Sequence, residues 1–213
     1  ALIHHPLAYE SGLTADQQVK LQRSERLALT YADHVIANSP LTAQNLRESY
    51  GVDDKKITII MPGTHQPSPP LHQVRAHLTT QNEFKWLSVG SIIPRKGFDI
   101  LIKALAPLNE MSWSLSIVGD TTRDVMSYRH LLQCIDQFDL QGRIQIHGAI
   151  DDLHLDSLYR GADGFVLASL FEGYGMAYAE ALSYGLPVIG ASGGAIVQTV
   201  PVSAGILTPP GNI

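Results

Sequence analysis

Two glutamates eight positions apart, Glu172 and Glu180, bracket a Gly173-Tyr174-Gly175 turn that follows an apolar run at 164–168. Glycine on either side of Tyr174 lets the backbone approach a ligand closely, and a helix starting at Met176 would aim its free amides at a phosphate or a sugar oxygen. With a rise of about 1.5 Å per helical residue, Glu180 falls roughly 7 Å along the axis from Gly175, a span that fits phosphate to ribose. A carboxylate there can accept two ribose hydroxyls. A second segment, Val89-Gly90-Ser91-Ile92-Ile93-Pro94-Arg95-Lys96-Gly97, also follows an apolar run. Arg grips two phosphate oxygens in a fork whereas Lys acts as a point charge, so adjacent Arg95 and Lys96 can serve one diphosphate in two ways. Fixed cations of this kind stabilise a departing diphosphate without a metal. Taken alone, the two segments read first as a glycine turn beside a solvated acid and as a solvated basic pair.

The elements that must position these residues follow from the pattern of the chain. Short β-rich runs alternate with helical patterns, which implies βαβ units and a parallel sheet. At the front, strands are predicted at 1–3, 34–37 and 56–61, with a helix over 14–31 and a second one opened by Ser39-Pro40 and ended by Gly51. Pro62, Pro67, Pro69 and Pro70 break the periodicity, and a hinge or linker is expected at 66–82. Beyond it, strands are predicted at 85–89, 114–118, 144–147, 164–168 and 187–189, with helices between them. One helix carries the stripe Phe98, Leu101, Ile102, Leu105 and Leu108, and another runs over 176–184 with Gly185 as its stop. The fold class is therefore α/β: a Rossmann-like, doubly wound parallel sheet at 83–213, preceded at 1–65 by the tail of a second α/β domain. Open parallel sheets bind ligands beyond the carboxyl ends of their strands, where both chemical segments lie.

The 213 residues suffice for a full core, and the net charge of −5 comes without a basic run, which weighs against nucleic-acid binding. Cys134 is the only cysteine, so an internal disulfide is impossible and a reducing compartment, the cytoplasm, is expected. No apolar run approaches the roughly 18 to 20 residues of a spanning helix. Ala1-Leu2-Ile3 reads as the end of a buried strand with nothing before it to pair with, so the chain is expected to be truncated at its start.

Taken together and in order, these segments resemble family-four (group 1) retaining glycosyltransferases of GT-B architecture. Glu172 and Glu180 match the family's Glu-x7-Glu signature, and Gly90 to Gly97 its Gly-x5-Lys-Gly loop. Tyr159-Arg160-Gly161-Ala162-Asp163 resembles its Tyr-x-x-Ala-Asp, and Pro187 to Ala195 its strand and Gly-rich loop bordering the donor. Ala1-Leu2-Ile3-His4-His5 resembles the end of the N-terminal domain, where a histidine faces the donor sugar; His4 is preferred by position, with His5 close behind. Three positions depart from the family: Ser91 stands where many members carry Arg, Gln198 near the place of a usual acid, and His65 where Asp is usual. The resemblance implies a nucleotide-diphosphate sugar as donor, transfer with retention, and no metal or cofactor. It assigns His4, Arg95, Lys96 and Glu172 to catalysis and Gly90, Ser91, Gly173, Tyr174, Gly175 and Glu180 to donor binding. Residues 1–65 would be the acceptor-side tail and 83–213 the donor-binding domain, truncated at its C-terminus. The acceptor would be a glycan or a lipid-linked precursor, with peripheral association at the inner face of the membrane through the missing N-terminal part.

Other classes fit less well. Gly173-x-Gly175-x-x-Tyr178 approaches a dinucleotide fingerprint, but Tyr178 replaces the third glycine and no acid ends the next strand to hold a ribose. His130 and Cys134 lie one helical turn apart without a second pair at ligand spacing. Neither Ser39 nor Ser169 sits in a nucleophile elbow. A non-catalytic nucleotide-sugar sensor on the same fold is the remaining alternative.

Overall fold

Helix caps written into the sequence set the first elements. Thr14 Oγ1 accepts from the Gln17 amide at 3.3 Å while Gln17 Oε1 accepts from the Thr14 amide at 2.8 Å, a reciprocal capping box that opens α1 (Ala15–Thr30). Ser39 Oγ accepts from the Thr42 amide at 3.0 Å and Pro40 occupies the first turn, opening α2 (Pro40–Glu48). These helices accompany a parallel sheet of β1 (Leu2–Ile3), β2 (Val35–Ala37) and β3 (Ile57–Ile59) in that spatial order. Their shared core is small: Leu29, Val35, Ala37, Ala43, Leu46 and Tyr50. The structure is a computed structural model that describes residues 1–10, 12–64 and 83–212. The linker expected at 66–82 and His65 lie outside the described residues.

A second sheet is built from β4 (Phe84–Val89), β5 (Trp113–Val118), β6 (Ile144–Gly148), β7 (Gly164–Leu167), β8 (Val188–Ala191) and β9 (Gly205–Thr208). Between successive strands run α3 (Phe98–Leu105), α4 (Val125–Gln137), α5 (Asp152–Gly161), α6 (Met176–Ser183) and α7 (Ile196–Thr199). All pairings are parallel, in the spatial order β6-β5-β4-β7-β8-β9. Counted from its own first strand the order is 3-2-1-4-5-6, the doubly wound Rossmann arrangement, with its reversal between β4 and β7. Helices cover both faces, so every residue of β7 is buried.

The structure departs from the expected elements at Leu108, at β9 and at the four-residue α7, and the strand expected at 56–61 spans only Ile57–Ile59. Leu108 lies beyond α3 and is 38% exposed, because the helix gives way to a tighter turn around Pro107 and the apolar stripe ends at Leu105. The strand β9 was not predicted. Its four residues alternate between half-buried and exposed, too short a run to stand out from the surrounding Gly and Pro.

Candidate functional site

The reversal point places the loop after β4 against the loop after β7. Gly97 has φ of 62°, and a Cβ there would stand 2.2 Å from the Ala168 carbonyl oxygen, so only glycine permits the approach. The Leu170 amide donates to the Arg95 carbonyl at 2.8 Å and Arg95 Nη1 donates back to the Phe171 carbonyl at 2.7 Å. The tight turn Pro94–Lys96 thus brings both cations to the segment that carries Glu172.

Four charges meet there. Lys96 Nζ donates to Glu172 Oε1 at 2.6 Å, and Ser169 Oγ donates to the same oxygen at 2.8 Å. Arg95 Nη1 lies 3.2 Å from Glu172 Oε2, and Arg95 Nε donates to Glu10 Oε1 at 2.9 Å. The side chains of Arg95 and Glu172 are only 9% and 10% exposed. At such burial a lone carboxylate would be pushed toward its neutral form, but Lys96 and then Arg95 outweigh that, holding Glu172 below the ordinary glutamate range. Glu10 is shifted the same way: burial raises it, but Arg95 and then His5 outweigh that and hold it below the ordinary glutamate range. Among the described residues, Arg95 and Lys96 face the carboxylates of Glu10 and Glu172.

The backbone around Glu172 is held from two more sides. Its amide donates to the Gly193 carbonyl at 3.2 Å and its carbonyl accepts from the Ala195 amide at 2.8 Å, both in the loop after β8. Gly173 packs on the first sheet unit: a Cβ there would lie 1.9 Å from the His4 carbonyl oxygen, and Thr42 Oγ1 donates to the Gly173 carbonyl at 3.3 Å. Gly175, with φ of 93°, then turns the chain into α6.

The other sequence-derived residues fall as follows. His4 is exposed and meets this site through its main-chain carbonyl, whereas the half-buried His5 has Nε2 3.2 Å from Glu10 Oε2 and its ring 6.3 Å from that of Phe171 in an edge-type contact. Gly90 lies beneath the Lys96 side chain, where a Cβ would stand 3.0 Å from Lys96 Cε, and half-buried Ser91 follows it. Tyr174 is half-buried and its carbonyl accepts from the Thr199 hydroxyl. Glu180 keeps different company from Glu172. It accepts from the Tyr159 hydroxyl at 3.0 Å and lines a cleft of about 500 Å³ with Asp152, Asp156, Tyr159 and Tyr184. Gln198, in the place of the family's usual acid, accepts from the Leu41 amide at 3.4 Å and ties the start of α2 to the second unit.

Arg95 meets Glu10, the Phe171 carbonyl and Glu172 through Nε and Nη1, and Lys96 meets Glu172 while lying over Gly90 of the β4 loop. Two participants were not singled out for the site from sequence. Glu10 sits in an irregular segment with no periodicity to mark it, and Ser169 is identified only by standing three residues before Glu172 at the end of β7. Among the described residues no group of three or more His, Cys, Asp or Glu side chains is arranged to hold a metal ion, and no helix is long and apolar enough to cross a membrane.

A doubly wound parallel sheet with a cation and a buried carboxylate at its reversal point, joined to a second parallel-sheet unit, defines a Rossmann-like protein of the GT-B class. The chain belongs to the group 1 glycosyl transferases: that family's model matches residues 83–213, and the model of glycosyltransferase family 4 matches residues 2–65. Mannosylfructose-phosphate synthase of Agrobacterium fabrum is 29% identical over 168 residues, covering 74% of this chain and 37% of that protein. A D-inositol 3-phosphate glycosyltransferase of Gordonia bronchialis is 30% identical over 207 residues, covering 89% of this chain and 44% of that protein. The chain thus spans less than half the length of these curated relatives. Among solved structures, a sucrose-phosphate synthase from Thermosynechococcus elongatus superposes with a TM-score of 0.82 at 26% identity, over 99% of this chain and 54% of that one. HepE of Anabaena, solved with UDP and glucose, superposes with a TM-score of 0.80 at 26% identity, over 99% of this chain and 57% of that one.

Proposed function

We propose that this chain forms the nucleotide-sugar side of a retaining glycosyltransferase that moves a sugar from a nucleotide-diphosphate donor to an acceptor hydroxyl. The observation that carries the reading is the Lys96–Glu172 pair at the reversal point of the sheet, a cation and a hydroxyl acceptor side by side where such sheets take their ligands. Lys96 would hold the diphosphate and stabilise the charge it gains as the sugar bond breaks. Glu172, kept ionised by its cations, would accept from the sugar hydroxyls, and the amides at the start of α6 would face the sugar or phosphate. Glu180 would accept from the ribose, its orientation set by the Tyr159 hydroxyl. With retention, the acceptor hydroxyl approaches on the face from which the diphosphate departs, and His4 would lie toward the sugar from the acceptor side. No divalent metal takes part in this scheme. The acceptor would be a glycan or lipid-linked precursor, met at the cytoplasmic face of a membrane. HepE was solved with UDP and with UDP-glucose, which makes uridine the first base to try.

Calorimetric titration of UDP, GDP and ADP tests the reading. The wild-type chain is expected to bind at least one of them. Lys96→Ala should weaken that binding by about tenfold or more, the scale of one charge-assisted hydrogen bond, and Glu180→Ala should weaken it through the ribose. Absence of binding to all three by the folded wild type would sink the proposal.

A further inference from the structure

We infer that Glu10 is a positioning residue for Glu172, acting through Arg95 from the opposite structural unit. This rests on the donor-site reading above, and deepens it by naming what holds the sugar-facing carboxylate in place.

The geometry has three links. Glu10 Oε1 anchors Arg95 through Nε at 2.9 Å, the Phe171 carbonyl anchors Nη1 at 2.7 Å, and only a longer contact of 3.2 Å remains between Nη1 and Glu172 Oε2. Lys96 and Ser169 meanwhile hold Oε1 at 2.6 and 2.8 Å. Arginine and a carboxylate prefer a two-pronged fork with parallel hydrogen bonds. With Nε engaged by Glu10, the side-on fork through that nitrogen is closed to Glu172, and the end-on side reaches Oε2 only through an Nη1 that also holds the Phe171 carbonyl, so the carboxylate stays turned toward Lys96. Without the Glu10 charge, a guanidinium only 9% exposed keeps Glu172 as its single anionic partner among the described residues. It then swings onto Glu172 and draws the carboxylate away from Lys96 and from where a sugar hydroxyl would meet it.

Glu10 is itself placed with care. It follows the turn Leu7–Tyr9, whose Tyr9 ring packs on Phe171 at 5.6 Å and whose Tyr9 hydroxyl bonds Ser49 at 3.2 Å, and its second oxygen lies 3.2 Å from His5 Nε2. The unit bearing β1 to β3 therefore supplies a charge that orients the donor-side carboxylate.

The test compares each of UDP, GDP and ADP with its glucose conjugate by calorimetry, on the wild-type chain and Glu10→Gln. The readout is the ratio of sugar-nucleotide affinity to nucleotide affinity. In Glu10→Gln that ratio is expected to fall about tenfold, the scale of one charge-assisted hydrogen bond, while the bare nucleoside diphosphate binds as well as before or more tightly, since the cluster gains one net positive charge. An unchanged ratio, or a parallel loss of both ligands, overturns the inference. If wild type binds no nucleotide, the donor reading falls, and a ligand-free measurement still decides this one: the coupling between Glu10→Gln and Glu172→Gln in thermal unfolding. That coupling is expected in the native background and should vanish with Arg95→Met; additivity in both backgrounds overturns the relay. Should Glu10→Gln not fold, Glu10→Asp keeps the charge but shortens its reach by one methylene, and the same fall in ratio is expected of it.

Discussion

Glu172 is a carboxylate kept charged in a place that disfavours charge, and its ionisation ties the site to pH. Burial acts against the ionised form, yet Lys96 and Arg95 lower its pKa below the ordinary 4.5, and Glu10 is lowered as well. A carboxylate with a depressed folded-state pKa contributes stability that is fully present above its unfolded value and is lost as pH falls through the folded one. The thermal midpoint should therefore hold steady above 4.5 and drop as acid is added below it. Glu172→Gln should lower the midpoint near neutral pH and flatten that acid limb. Thermal unfolding of both proteins across pH 3 to 7 (roughly the range of carboxylate titration) checks the shape, and an acid limb as steep in Glu172→Gln as in wild type would show that other carboxylates control it. The residue types at this site were legible as candidates because Glu, Lys and Gly stand at strand ends. The contact of Arg95 with Glu10, 85 positions away, was not legible, since no local pattern pairs residues so far apart.

At the scale of elements, the site depends on strand-end loops lying closer together than side chains allow. Gly97 holds a left-handed backbone and sits against the Ala168 carbonyl at a distance no Cβ can tolerate. Gly97→Ala should therefore cost at least about 1–2 kcal/mol for the left-handed conformation alone, with the clash adding to it. Urea unfolding measures that loss. The same variant should weaken nucleotide binding, because the turn Pro94–Lys96 can no longer rest against β7. Most elements were predictable. Thr14, Ser39 and Gly185 are stop and start signals with local causes, and the stripe from Phe98 to Leu105 repeats at helical spacing. What failed locally was short or half-exposed: β9 lacks the length for periodicity, and Leu108 follows a proline that redirects the chain.

Across the whole molecule, the two sheet units touch at points that leave little slack. Gly173 against the His4 carbonyl is the tightest of these, backed by the hydrogen bonds of Thr42 to Gly173 and of the Leu41 amide to Gln198. A methyl group at Gly173 would stand 1.9 Å from a main-chain oxygen, so the backbone of one unit must move away from the other. Gly173→Ala is expected to enlarge the radius of gyration in small-angle scattering. A radius unchanged from wild type would mean that the contact yields locally.

By itself the sequence determined the alternation of strands and helices, the parallel sheet that follows from it, and the strand-end loops on which the chemical residues sit, because caps, breakers and hydrophobic period are properties of near neighbours. Only the tertiary structure decided that the loops after β4 and β7 meet at the reversal of strand order, that Lys96 lies over Gly90, and that Glu10 enters the cluster. Those outcomes depend on long-range approach and on competition among charges for the same carboxylate, which no local pattern records.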